Sequence, residues 1–367
     1  MDREEKKRVG ILSMQRVINY GSFLQAFALK KIIENLDCDV YFIDIVPGVQ
    51  LKGLEYSHSY WSKFKTIFNA IIRGKIRKKL NEKRFVNNLE NKFKKRYFNL
   101  LELDKKSKAS YDVIVIGSDE VFNACQSVPW GFSKQLFGEG LRAAKIISYA
   151  ASFGHTSLDD INKWNIKKDI TNALKNISAI SVRDDNSSTI ITELIGKKPF
   201  HHVDPVLIYD YSDYMNTEIL EKDYIVIYTY PNRIIKQKVE AIIAFAKEQK
   251  KKLISIGCAY DWCDKVIFPQ TPFEVLSFFK YADYIITDTF HGTIYSIKFN
   301  KRFCSIIRES NTQKLSSLLK QFKLETQIVK EIGDIRKILL SCPNFTDANR
   351  TIEIEKENTQ EYLNNQI

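Results

Sequence analysis

Four short segments of the chain set polar side chains and glycine directly after apolar runs. They are Asn19-Tyr20-Gly21-Ser22-Phe23-Leu24-Gln25, Gly117-Ser118-Asp119-Glu120, Ser181-Val182-Arg183-Asp184 and Thr287-Asp288-Thr289-Phe290-His291-Gly292-Thr293. His291 is the leading candidate for proton transfer. It stands just ahead of a helical pattern, where N-terminal N–H groups favour a neutral imidazole. The neutral ring takes a proton from an attacking hydroxyl and the protonated ring gives one to carbon, while a helix-capping histidine is the structural alternative. Arg183 offers a planar fork that fits a carboxylate or phosphate bidentately, which lysine does not copy; an ion pair with Asp184 or Asp185 closing a turn is the competing reading. Asp119 and Glu120 are natural acceptors for hydroxyl groups. Asn19, Tyr20, Gly21 and Ser22, with Gly117 and Ser118, supply amide, hydroxyl and backbone donors. His155, also beyond an apolar run, either joins them or is structural.

The elements that must hold these segments follow from hydrophobic pattern. Short β-rich runs alternate with helical stretches, the signature of βαβ units and a parallel sheet. Strands are expected at 9–14, 40–45, 113–116, 145–149 and 179–182. A second set is expected at 224–228, 252–256, 284–287 and 303–306, separated by helices over 234–247, 272–281 and 293–298. The first helix is expected to begin at Ser22, with Ser22 and Gln25 as a capping box. A boundary after Asp204-Pro205-Val206 divides the chain into an N-terminal Rossmann-like domain over 1–210 and a C-terminal one over 211–367, whose tail either frays or docks back. The fold class is therefore α/β, two Rossmann-like domains facing a cleft. Ligands of such sheets bind beyond the carboxyl ends of the strands, where the four segments lie.

Bulk properties narrow the partners. The 367 residues suit two domains of roughly 150 to 200 residues each, and 44% hydrophobic with 27% charged residues is ordinary globular composition. The formal net charge of +12 favours an anionic partner. Much of it sits in a basic helical insertion at about 51–108, where Lys and Arg interleave with Phe, Ile and Leu. That pattern reads either as peripheral apposition to an anionic membrane or as a solvated helical face, and it carries no motif for nucleic acid. The apolar stretch near the start is too short for a signal core or a membrane span, so a cytoplasmic location is expected. The six cysteines contain no C-x-x-C pair, and no His, Cys or carboxylate cluster has metal-ligand spacing. Neither a G-x-G-x-x-G nor a P-loop is present. No metal and no bound cofactor are expected.

Taken in order, the four segments, Ser148-Tyr149-Ala150-Ala151-Ser152-Phe153-Gly154, the Asp204-Pro205-Val206 turn and Asn300-Lys301-Arg302-Phe303 resemble the polysaccharide pyruvyl transferase family over nearly the whole chain. The resemblance implies a glycosyltransferase-B-like fold and transfer of pyruvate from phosphoenolpyruvate to two hydroxyls of a sugar as a ketal. The acceptor would be a glycan or a lipid-linked oligosaccharide. It casts His291 and Asp119 as catalytic, and Arg183, Thr289, Gly292 and Arg308 as donor contacts. Asn19, Tyr20, Gly21, Ser22, Gly117, Ser118 and His155 would meet the acceptor. One departure stands out: a form of the family motif reads Arg-Leu-His, and here Thr289-Phe290 precede His291. Arg308, Arg302 or Lys298, or a hydrogen bond from Thr289, must then replace the missing arginine. The competing classes are a nucleotide-sugar glycosyltransferase of the same fold and a non-catalytic module that binds anionic surfaces.

Overall fold

A computed structural model describes residues 6–56, 87–105, 110–216, 219, 221–231, 233–308 and 311–367. Most of the basic insertion, at 57–86 and 106–109, lies outside the described residues. The first sheet contains β1 (Arg8–Leu12), β2 (Asp39–Phe42), β3 (Tyr111–Asp119), β4 (Ala143–Ala151), β5 (Ser181–Val182) and β6 (Phe200–His201). The second contains β7 (Tyr224–Tyr228), β8 (Lys252–Ile256), β9 (Lys265–Ile267), β10 (Tyr284–Thr287), β11 (Arg302–Ile306) and β12 (Ile328–Val329). Their orders are β2-β1-β3-β4-β5-β6 and β12-β11-β10-β7-β8-β9. Every named pairing is parallel. Val113 to Ile116 and Ile225 to Ile227 are buried without alternation, as expected of strands covered on both faces by helices. The chain thus folds into two Rossmann-like domains. Strand order reverses between β1 and β3 in the first sheet and between β7 and β10 in the second, which opens a crevice at each of those strand ends.

The helix Tyr20–Glu34 corrects one expectation. It starts two residues before Ser22, because Asn19 is the N-cap and its side chain accepts from the backbone of Gly21 and Ser22. Ser22 is thereby freed from capping and turns to another partner. Gln25 leaves the expected box too: its amide group donates to Ser13 Oγ and accepts from Ser118 Oγ, tying β1 to the end of β3. This helix is buried almost all round, the mark of an element covered on both sides. One side meets the first sheet. On the other, Phe23 and Phe27 pack edge-on against Phe273 of the helix Pro272–Tyr281, at 5.8 and 4.8 Å between ring centroids. The domain interface is therefore an aromatic core.

Beyond the second sheet the chain returns. The helix Thr346–Gln366 lies on the first sheet, where Tyr362 donates to the carbonyls of Ser148 and Ala179 and Thr359 pairs with the Tyr149 hydroxyl at 3.0 Å. Among the described residues no helix is long and apolar enough to cross a membrane.

Candidate functional site

The two crevices face one another across a cavity of about 500 Å³. The first domain contributes an apolar wall that includes Met14, Val17, Ile18 and Trp130, and a polar floor at Asn19, Ser22, Asp119 and Arg183. The second contributes Tyr228 to Tyr230, Asp288 to His291, and the cations Arg233, Arg308 and Lys314.

The floor is a charge cluster assembled from distant parts of the sequence. Arg183, just past β5, is 6% exposed and donates from one guanidinium nitrogen to Asp204 Oδ2 at 2.6 Å and from the other to Asp119 Oδ1 at 3.0 Å. Its guanidinium also lies 4.3 Å over the Phe290 ring. Asp119 takes its second contact from Ser22 Oγ at 2.9 Å. The Asp119 backbone has φ of 78°, a conformation that costs of order 1–3 kcal/mol for a non-glycine residue and persists where surrounding contacts demand it. Asp204 caps the short helix Pro205–Ile208 through Val206 N–H. Burial alone would raise its pKa, but the neighbouring His291 imidazole and the Arg183 charge outweigh that and hold Asp204 below the usual carboxylate range.

His291 completes this cluster from the second domain. It occupies the first turn of the helix Phe290–Lys298, which Thr289 caps. Its Nε2 is buried and faces Asp204 Oδ2 at 3.5 Å, with no hydrogen bond formed. Its Nδ1 edge lies against Gly21, where an added Cβ would fall on the imidazole. An ionised carboxylate beside Nε2 favours a proton on that nitrogen and leaves Nδ1 as the basic one.

A second ion pair bridges the domains at the cavity wall. Lys314 Nζ donates to Glu120 Oε1 at 2.8 Å. Burial pushes the Glu120 carboxyl up, yet Lys314, with Arg183 and Asn123, brings it down from 4.5 to about 2. A depressed folded value means that this contribution to stability is present above pH 4.5 and is lost as the pH falls toward 2. Acid titration of the unfolding free energy should therefore show a component between those values that Glu120→Gln lacks; identical profiles for the two proteins would remove the bridge from the account.

Several expected contacts are corrected by this geometry. Arg183 pairs with Asp204 and Asp119 in place of Asp184 or Asp185, and both its ends are committed, so it positions carboxylates. Asp184 instead caps the helix Asp185–Ile195 and accepts from Ser152 Oγ. Gly117 and Ser118 turn away from the cavity: a side chain on Gly117 would strike the Tyr149 carbonyl, and Ser118 is fully buried on Gln25. Thr289 has no donor to give. The Thr287 hydroxyl donates to the Tyr228 carbonyl, so the proton between Thr287 and Thr289 must come from Thr289, whose oxygen also accepts from Gly292 N–H. Gly292 itself permits close packing on Thr287 and Tyr228. Lys298 donates to the carbonyls of Leu207 and Tyr209, and Arg302 opens β11 at the end away from the cavity. Arg308 does line the cavity, 3.2 Å from Asp288 Oδ2. His155 lies at the rim with both ring nitrogens engaged, one by the Cys125 carbonyl and one by Asn123. Asp204, Lys314 and Arg233 received no role from the sequence, because each acquires its meaning from a partner or a wall supplied by another segment.

The sequence model of the polysaccharide pyruvyl transferase family matches residues 19–310, well over half of the chain. The chain belongs to this family. The match runs from the Asn19 cap through the Asp119, Arg183, Asp204 and His291 cluster, so the whole charge cluster lies within the part shared with other polysaccharide pyruvyl transferases. No curated protein matches in sequence. Among solved structures, Arabidopsis thaliana UGT89C1 complexed with UDP-L-rhamnose aligns with a TM-score of 0.50 at 11% identity, over 98% of this chain and 95% of that one. The Methanocaldococcus jannaschii UDP-GlcNAc 2-epimerase in complex with UDP-GlcNAc and UDP gives 0.47 at 14% identity, over 95% and 99%. At these identities the likeness is one of fold.

In this polysaccharide pyruvyl transferase Gly21 is, beside Asp204, a first-domain contact of the His291 ring. Gly21→Ala should fold, since residue 21 is helical, yet lose about 10²-fold or more in turnover, the penalty of a misplacement near 1 Å. Turnover within a few fold of the unaltered protein would show that the imidazole moves aside without consequence.

Proposed function

We propose that the protein transfers the pyruvyl group of phosphoenolpyruvate to two hydroxyls of one sugar, in a cell-surface glycan or its lipid-linked precursor, and forms a cyclic ketal. The observation that carries this reading is His291, a cavity-lining imidazole backed by the Asp204 carboxylate, in a member of a pyruvyl transferase family. In this reading protonated His291 gives its proton to the methylene carbon of the donor, which becomes a methyl group while positive character develops at C2. One sugar hydroxyl adds to C2, phosphate departs, and the second hydroxyl closes the ring. Two hydroxyl protons are released: one restores His291 and the other leaves with phosphate. Asp119, fixed by Ser22 and Arg183, keeps lone pairs for an incoming hydroxyl. Asp204 stabilises the imidazolium, as a buried carboxylate does beside a catalytic histidine. The donor is itself the activated group, so no cofactor takes part.

The experiment is calorimetry of the protein with phosphoenolpyruvate and, separately, with nucleotide sugars, followed by phosphate release and mass analysis of a glycan acceptor. Binding of phosphoenolpyruvate with phosphate release and ketal formation is the expected result. Binding of a nucleotide sugar with no response to phosphoenolpyruvate would replace this reading with that of a glycosyltransferase.

A further inference from the structure

Four cations line the cavity, and three of them are held by carboxylates. Arg183 bridges Asp119 and Asp204, Arg308 stands 3.2 Å from Asp288, and Lys314 binds Glu120. Arg233 is the fourth, and among the described residues no carboxylate lies within ion-pair distance of it. We propose that Arg233 is the recruiting cation for the anionic end of the donor, a phosphate or carboxylate group, in place of the arginine that the segment before His291 lacks. This inference rests on the small-anion donor reading above and assigns the residue that makes it possible here.

A donor carrying both a carboxylate and a phosphate must find positive charge. Engaging Arg308 or Lys314 would weaken an existing bridge, whereas engaging Arg233 breaks none. The Arg233 guanidinium lies 4.2 Å over the Tyr230 ring, a stack that orients its planar fork. Tyr230 is in turn fastened at its backbone, its N–H donating to Asp288 Oδ1 at 3.0 Å and its carbonyl accepting from the Tyr260 hydroxyl at 2.9 Å. The same Tyr260 hydroxyl pairs with Thr229. The loop after β7 therefore has a fixed root although its cation is exposed. Arg233 also shares its cavity with His291. Burial raises the Asp288 carboxyl, and the charges of Arg308 and Arg233 both oppose that rise, so Arg233 projects its field onto the turn that leads to His291.

The test is calorimetry with phosphoenolpyruvate, inorganic phosphate and UDP on the full chain and on Arg233→Ala, Arg233→Lys and Arg336→Ala. Arg336 pairs with Glu248 on the outer surface and controls for lost charge in general. Thermal unfolding of each variant separates lost binding from lost structure. Arg233→Ala should weaken phosphoenolpyruvate and phosphate tenfold or more, Arg233→Lys should recover only part of that, and Arg336→Ala should match the unaltered chain. Affinity within twofold in Arg233→Ala, with phosphoenolpyruvate binding intact in the unaltered protein, overturns the assignment of Arg233 and leaves the donor reading standing. If the unaltered protein binds UDP and not phosphoenolpyruvate, the donor reading falls; loss of UDP in Arg233→Ala would then keep Arg233 as the anion contact of a different donor. Failure of all three ligands to bind overturns both.

Discussion

His291→Gln and His291→Ala should fold with little change in unfolding temperature and yet lose about 10²- to 10⁴-fold in turnover, the share that a positioned acid–base group contributes. When the imidazole is removed Asp204 keeps its bonds from Arg183 and the Val206 N–H, so the buried carboxylate is not stranded and the fold should persist. The pH profile supplies a second readout. The limb that depends on the imidazole should vanish in His291→Gln, and Asp204→Asn, which keeps the ring and neutralises the carboxylate it faces, should lower turnover. Asp204 is in this sense a positioning residue. Turnover and pH profile preserved in His291→Gln would end the proton-transfer role and pass it to His155, Asp119 or Asp288, which also line the cavity.

Arg183→Ala should have the largest effect on stability, about 3–5 kcal/mol, since it strands Asp119 and Asp204 in a buried setting with no counter-charge. Arg183→Lys should recover little: one ammonium cannot occupy the two positions from which the guanidinium reaches Asp204 and Asp119 separately. Urea titration gives the result directly as a shift of the midpoint at constant slope. The alternative outcome is informative. If Arg183→Ala keeps its midpoint and loses only donor affinity, the guanidinium is an anion clamp of the kind its position after β5 implies, and its carboxylate partners are incidental.

The contrast between the two readings of Arg183 shows where sequence stops. β7, β8 and β10 have the bounds that their apolar runs predict, at Tyr224–Tyr228, Lys252–Ile256 and Tyr284–Thr287, because a strand buried on both faces writes its length into composition. The edge strands β6, β9 and β12 have two or three residues each, too few to carry a pattern. Helix starts are hard to place from sequence for a related reason. Asn19 and Thr289 cap their helices through a local bond that any Asn, Ser or Thr nearby could make, and Ser22 looks as good a cap as Asn19 until Asp119 is seen to hold its hydroxyl. His291, Asp119 and the strand-end segments were legible as chemistry because glycine and polar residues interrupt apolar runs there. Asp204 was legible only as a turn. Its function depends on Arg183, 21 residues earlier, and on His291 from the other domain, and nothing local announces such a meeting.

The return of the last helix to the first sheet means that the chain itself holds the two sides of the cavity together at two places. The chain crosses between the domains twice, once through the segment around Pro205–Ile208 and once between the helices Asp334–Leu340 and Thr346–Gln366. Together with the packing of Phe23 and Phe27 on Phe273, the two crossings tie the second domain to the first at separate places. Lys298, which holds the carbonyls of Leu207 and Tyr209 beside the first crossing, pins one of them. His291 is thereby kept against Gly21 and Asp204 by the path of the chain as well as by the contacts at the floor of the cavity.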